Sequence, residues 1–226
     1  MRTKHFILGN WKSNKTLQEA ERWKQSFEKS IPALSDKITV IVVPAFHHLP
    51  VFLKRSSDYA LGAQDVSQFE PGSYTGAIAV GMLTGLVQYV MVGHSERRKH
   101  FGETDEIVAQ KVLQVITHGL SPVVCVSDVL QVEKLVRLVP AFEATGILLY
   151  EPLFAVGSGT PDTPENANKQ ARKITHVVRI PVLYGGSVVP ENVKSFMGQP
   201  DISGVGVGKA SLESDIFASL IRAAVS

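Results

Sequence analysis

The chain has 226 residues, of which 44% are apolar and 19% charged, with a net charge of +2; this supplies a substantial core and gives no electrostatic case for nucleic acid or an anionic membrane. A single cysteine, Cys125, excludes an intrachain disulfide and a cysteine-rich zinc site. No apolar run approaches the roughly 18 residues of a membrane span, and MRTKHFILGNWK has too short an apolar core for a signal peptide, so a soluble cytoplasmic protein is expected.

Short apolar, β-branched runs alternate along the chain with longer amphipathic stretches. HFILG from His5 reads as the first strand, and Thr16 with Glu19 has capping-box spacing for the first helix. ITVIVV from Ile38, YALGAQ from Tyr59 and YVMVG from Tyr89 read as the next three strands. After Thr104 comes a helical pattern with Val108, Val112, Val115 and Gly119 along one face. PVVCV from Pro122 follows, with Cys125 expected as a buried structural thiol, and then GILLY from Gly146. Thr163 before Pro164 reads as an N-cap and first helical residue. PVLYG from Pro181 and SGVGVG from Ser203 are the last strands, and the final helix is expected from about Leu212 to Ala224, with Ile216, Leu220 and Ala224 on one face.

This is a βα unit repeated about eight times, with no composition break or long polar linker. Such alternation implies a parallel sheet. Eight units at this length favour a closed (β/α)8 barrel, a single domain over residues 1–226. An open doubly wound sheet is the structural alternative, but it would usually carry a Gly-rich turn after its first strand, which GNWKSN does not supply. In either architecture, function sits at the carboxyl ends of the strands.

Those ends carry a limited set of chemical groups. Asn10 and Lys12 follow the first strand, where a lysine would point a cation into the barrel mouth, although taken alone it reads as a surface residue. His94, Ser95, Glu96 and Arg97 follow the fourth, where a lone histidine is often only a hydrogen-bonded loop residue. Glu151 ends the sixth, a dozen residues before the cap candidate Thr163, a distance that weakens a capping role. YGGS and GVGVGKAS end the seventh and eighth in small residues whose backbone N–H groups can converge on an anion.

Two resemblances to nucleotide motifs fail. GVGVGK has the wrong spacing for a dinucleotide fingerprint and too little chain after it, and as a P-loop it has Ser203 for the first glycine and Ala210 where a hydroxyl should hold magnesium. His47 and His48 form no ligand set at metal spacing. What remains is a lysine, a histidine, a glutamate and two Gly-rich anion sites on one rim, a convergence that the separate bland readings do not explain.

GNWKSN, VGHSERR, GETDE, YEPLFAVGSGT, LYGGSV and GVGKASL, in this order and spanning nearly the whole chain, resemble the triosephosphate isomerase family. The resemblance implies interconversion of dihydroxyacetone phosphate and glyceraldehyde 3-phosphate through an enediolate. It assigns Glu151 as the base on the carbon-bound proton, His94 as a neutral hydrogen-bond donor to the substrate oxygen, Lys12 as the charge opposing the enediolate, Asn10 as an orienting group and Glu96 as support for Lys12. The phosphate would lie against backbone amides near Gly157, Ser187, Gly208 and Lys209. No cofactor or metal is implied, because the neighbouring carbonyl already acidifies the proton. Pro152 would be a stiff hinge and AVGSG a lid over the phosphate. YTGA around Tyr74 and Thr75 resembles the loop that docks into a partner subunit, which favours a homodimer, while altered helices could permit a tetramer.

The chain departs from the family pattern in several places. Phe154 stands where the lid hinge normally has a tryptophan, and Asp128 where a glutamate meets it, so one lid latch is expected to be missing. Lys209 replaces a glycine of the eighth-strand phosphate loop, and any requirement for positive φ there would strain it. Ala77 replaces a glutamate that pairs across the dimer with the first arginine of SERR, so Arg97 is expected to lack that partner. The segments from Asp128 to Glu151 and from Thr163 to Tyr184 are short for the family, and their helices are expected to be cut down. Two rival functions stand beside isomerisation: a non-catalytic phosphosugar-binding protein, which predicts damage at Glu151 or His94, and another phosphate-binding barrel enzyme such as an aldolase or synthase, of which a Schiff-base aldolase needs a lysine in the middle strands. The sequence shows neither feature.

Overall fold

The computed structural model of the chain describes residues 4–55 and 57–226; the first three residues of the stretch read against a signal peptide lie outside it. The strands are β1 (His5–Asn10), β2 (Ile38–Val43), β3 (Ala60–Ala63), β4 (Tyr89–Val92), β5 (Ser121–Val126), β6 (Ile147–Tyr150), β7 (Val182–Tyr184) and β8 (Gly204–Val207). Each is parallel to the next, and β8 pairs back onto β1, with Phe6 opposite Gly204 and Leu8 opposite Gly206. The result is a closed (β/α)8 barrel.

Side chains alternate across the barrel wall as strand geometry requires. Phe6, Leu8, Ile41, Val43, Cys125, Leu149 and Leu183 form the inner cluster, while Ile7, Val42, Val124, Leu148 and Val205 belong to the layer shared with the helices. The glycines of GVGVG have a packing explanation. A Cβ on Gly206 would lie 2.6 Å from a methyl of Leu149, and one on Gly204 would lie 2.1 Å from the Phe6 carbonyl oxygen. They admit a neighbouring side chain and a neighbouring strand.

The helices are α1 (Leu17–Ser30), α2 (Ser95–Phe101), α3 (Asp105–Thr117), α4 (Val129–Leu138), α5 (Phe142–Thr145), α6 (Pro164–Val177), α7 (Val193–Met197) and α8 (Ser214–Val225). Thr16 and Glu19 close both hydrogen bonds of the capping box on α1, which buries Ala20, Trp23 and Phe27. Thr104 caps α3, and Thr163 caps α6 with Pro164 as its first residue. Val108, Val112 and Val115 are buried, but Gly119 lies past the end of α3, at φ 72°, where a left-handed residue closes the helix. The apolar face of α8 also differs from expectation. Phe217, Leu220 and Ile221 are buried while Ile216 is 45% exposed. Phe217 turns the helix by stacking on Phe27 at 5.4 Å, inside an aromatic cluster with Trp23.

Among the described residues, the connections after β2 and β3 carry 3-10 turns, at Phe46–Phe52 and Val80–Leu83, in place of α-helices. Pro50 sits inside the first, and FEPGSYTG interrupts the second connection with turn formers. The fifth segment is reduced to a 10-residue α4 and a single turn, α5. The sixth segment carries one helix, α6, of 14 residues.

Candidate active site

Lys12 leaves β1 in a left-handed conformation, φ 52°, which a lysine adopts only when its surroundings hold it. Two side chains do so. The Lys12 amide donates to Asn10 Oδ1 at 2.9 Å, and Gln64 Nε2 donates to the Lys12 carbonyl at 2.9 Å and to the Val43 carbonyl at 3.2 Å. The ammonium that this turn presents lies 2.5 Å from Glu96 Oε1. Burial pushes the Glu96 carboxyl up, but the hydrogen bond from Lys12 and the neighbouring positive groups outweigh it and hold its pKa below the ordinary range.

His94 is the N-cap of α2 and is buried. Its Nδ1 accepts the Glu96 amide at 3.2 Å, so the proton of the neutral ring resides on Nε2. That Nε2 lies 3.4 Å from Glu151 Oε1. Among the described residues, neither His94 Nε2 nor Glu151 Oε2 has a hydrogen-bond partner, although both are buried. Such orphans are rare in folded proteins and cluster where a ligand completes them. Glu151 fits because residue 185 is glycine: a Cβ there would come within 3.0 Å of Glu151 Cγ. Beneath it, burial first, and then the charge of Glu151 and a hydrogen bond to it, push the Cys125 thiol far up, so it remains an S–H.

Beyond Glu151, Gly157 and Gly159 take positive φ and carry the chain over the barrel mouth. The Ser187 hydroxyl donates to the Ala155 carbonyl at 2.9 Å and accepts the Gly159 amide at 3.1 Å, and the Tyr184 hydroxyl accepts the Asp162 amide at 2.8 Å. Under this segment lies a cavity of about 370 Å³. Asn10, Lys12, His94, Glu151, Gly157, Ser187, Gly208 and Lys209 all line it, while Glu96 stands behind Lys12. Reading strand ends did not single out Gln64, Gly185 or the hydroxyl of Tyr184. The first directly follows the third strand, and the other two sit inside YGGS, whose sequence signal is for backbone amides.

A family model described as triosephosphate isomerase matches residues 5–224. The triosephosphate isomerase of Thermus thermophilus is 36% identical over 247 residues, covering 97% of this chain and 98% of the relative. The chain belongs to the triosephosphate isomerase family. Family members from Thermoanaerobacter pseudethanolicus and Synechococcus sp. are each 37% identical, over 96% of this chain and 98% and 94% of the relatives. The Thermus alignment is longer than the 226 residues of this chain, so the chain lacks segments which that relative has.

The departures from the family pattern resolve individually. Phe154 is 62% exposed, and the Asp128 carboxylate accepts the Gln131 amide at 3.0 Å as the cap of α4. Those two positions therefore serve an exposed ring and a helix cap. Lys209 is not strained, because Lys12, Lys15 and Ser187 are the only non-glycine residues at positive φ among those described. Arg97 does not want for partners. Its Nε lies 2.8 Å from Asp65 Oδ2 and 2.5 Å from Glu103 Oε1, both in its own chain, and Lys111 joins the same two acids.

Proposed function

We propose that this chain interconverts dihydroxyacetone phosphate and D-glyceraldehyde 3-phosphate, with residues 1–226 as one catalytic domain. The observation that carries this reading is His94 Nε2, 3.4 Å from Glu151 Oε1, with that nitrogen and Glu151 Oε2 both buried and unpartnered among the described residues and both side chains lining one cavity. A base and a hydrogen-bond donor so placed can act on a carbon of a bound triose and on the oxygen beside it. Glu151 takes the carbon-bound proton and returns it to the next carbon. His94 Nε2–H donates to the oxygen on which charge develops, and Lys12 opposes that charge. Asn10 orients Lys12 and the substrate, and Glu96 holds the ammonium in place. The phosphate lies against the amides of Gly157, Ser187, Gly208 and Lys209. The carbonyl next to the reacting carbon supplies the acidity, so the residues need no cofactor for the proton transfer.

The same reading assigns the protein to glycolysis and gluconeogenesis in the cytoplasm, and makes it a homodimer. The dimer rests on the loop in which Phe69 and Tyr74, each more than 40% exposed, stack at 4.3 Å. The test of function is a coupled assay on purified protein, supplying each triose phosphate in turn. Turnover in both directions is expected. Binding of phosphate without turnover would instead support a phosphosugar-binding protein.

A further inference from the structure

Two lysines line the cavity, and their charges are not equally committed. Lys12 Nζ is bonded to Glu96, whose carboxyl is held in its ionised form. Lys209 Nζ meets no acid or carbonyl among the described residues. It stands on the loop after β8, next to Gly208, whose added Cβ would lie 3.5 Å from Lys12 Cε. Lys12 and Lys209 thus line the same cavity, with Gly208 between their two loops. With Lys12 alone, an entering phosphate would face one cation and two carboxylates, Glu96 and Glu151. Lys209 brings that local balance to neutrality. Its backbone is outside the left-handed region, so nothing in the turn demands glycine, and its side chain is exposed and free to reach.

We infer that the Lys209 ammonium is a specificity-determining group that binds the dianionic phosphate of the substrate, adding a mobile point charge to the backbone amides of the same loop. This rests on the proposed phosphate site and extends it from amides to a side chain. Lysine suits the role: a compact charge on a flexible stem follows the phosphate without fixing its orientation. Because the group is exposed, its effect is modest, screened by salt, and felt on approach as well as in the complex.

The test compares wild type with Lys209→Met and Lys209→Arg, using 31P NMR titration with inorganic phosphate and steady-state kinetics with glyceraldehyde 3-phosphate. At low ionic strength, Lys209→Met should weaken phosphate binding and raise KM by about three- to fivefold. Raising salt to about 0.5 M should close most of that gap. Lys209→Arg should recover most of the affinity. Phosphate bound by Lys209→Met as tightly as by wild type at low salt would overturn the inference. So would a loss that salt does not narrow and arginine does not rescue, because that loss comes from packing. The titration does not need turnover. Salt-sensitive phosphate binding through Lys209 in a protein that isomerises nothing would sink the triose phosphate reading and leave this one standing. Normal isomerisation with an inert Lys209→Met would do the reverse.

Discussion

Glu151 is positioned by small tolerances: a glycine at 185 that admits its stem, a thiol beneath it and an imidazole 3.4 Å away. Glu151→Asp retracts the carboxylate by one methylene, and a misplacement on the order of 1 Å can cost roughly 100-fold in rate. A fall of that size in kcat with a small change in KM is expected from steady-state kinetics. Near-wild-type turnover would remove Glu151 from the role of base. The residues that touch the cavity were legible in the sequence because strand ends are few and chemistry selects among them. Their supports were less so. Gln64 lies at a strand end as plainly as Asn10 does, but an amide that braces a left-handed lysine looks in sequence like any polar residue. Arg97 shows the converse. The glutamate expected opposite it is absent, yet Glu103 satisfies it from six residues on and Asp65 from the loop after the third strand, and no local pattern reports the second of these contacts.

At the level of elements, Ser187 and Tyr184 hydrogen-bond the segment after Glu151, the proposed lid, at Ala155, Gly159 and Asp162. On the proposed mechanism, closure would exclude water and hold the phosphate in the plane of the enediolate. If the phosphate swings into line with the π system, it is eliminated and methylglyoxal forms. Removing residues 156–158 and rejoining the chain should lower isomerisation by orders of magnitude, on the scale of about 100-fold or more, and make methylglyoxal a substantial share of product. The ratio of the two products is the measurement. Slow isomerisation with no extra methylglyoxal would mean that the lid does not guard an enediolate. Caps were the most legible part of the helices, because Thr16, Thr104 and Thr163 act through neighbours three residues away. The buried face of α8 was not, because a stripe through Ile216 and one through Phe217 are both apolar, and only the aromatic cluster opposite decides between them.

For the whole molecule, closure of the barrel depends on the seam between β1 and β8. A Cβ on Gly204 would sit 2.1 Å from the Phe6 carbonyl oxygen and 2.9 Å from two other backbone atoms of that residue. Backbone cannot step aside as a side-chain tip can, so Gly204→Ala should destabilise by about 3 kcal/mol and lower Tm by roughly 6–12 °C in a chain of this size. Calorimetry showing an unchanged Tm would mean that the seam is looser than its geometry. Alternation of apolar runs pointed to a parallel sheet and their number favoured its closure, but the purpose of the glycines in GVGVG emerges only when β8 meets β1. The site depends on that closure, since Asn10 at the end of β1, Lys12 just after it and Lys209 after β8 reach one cavity across the seam. The most direct measurement is dihydroxyacetone phosphate in D2O, followed by 1H NMR with wild type and Glu151→Gln, which keeps the side-chain volume and loses the base. Wild type is expected to isomerise with deuterium appearing at carbon, and Glu151→Gln to lose both by at least about 100-fold. Undiminished exchange and turnover in Glu151→Gln would contradict proton transfer through an enediolate by this carboxylate.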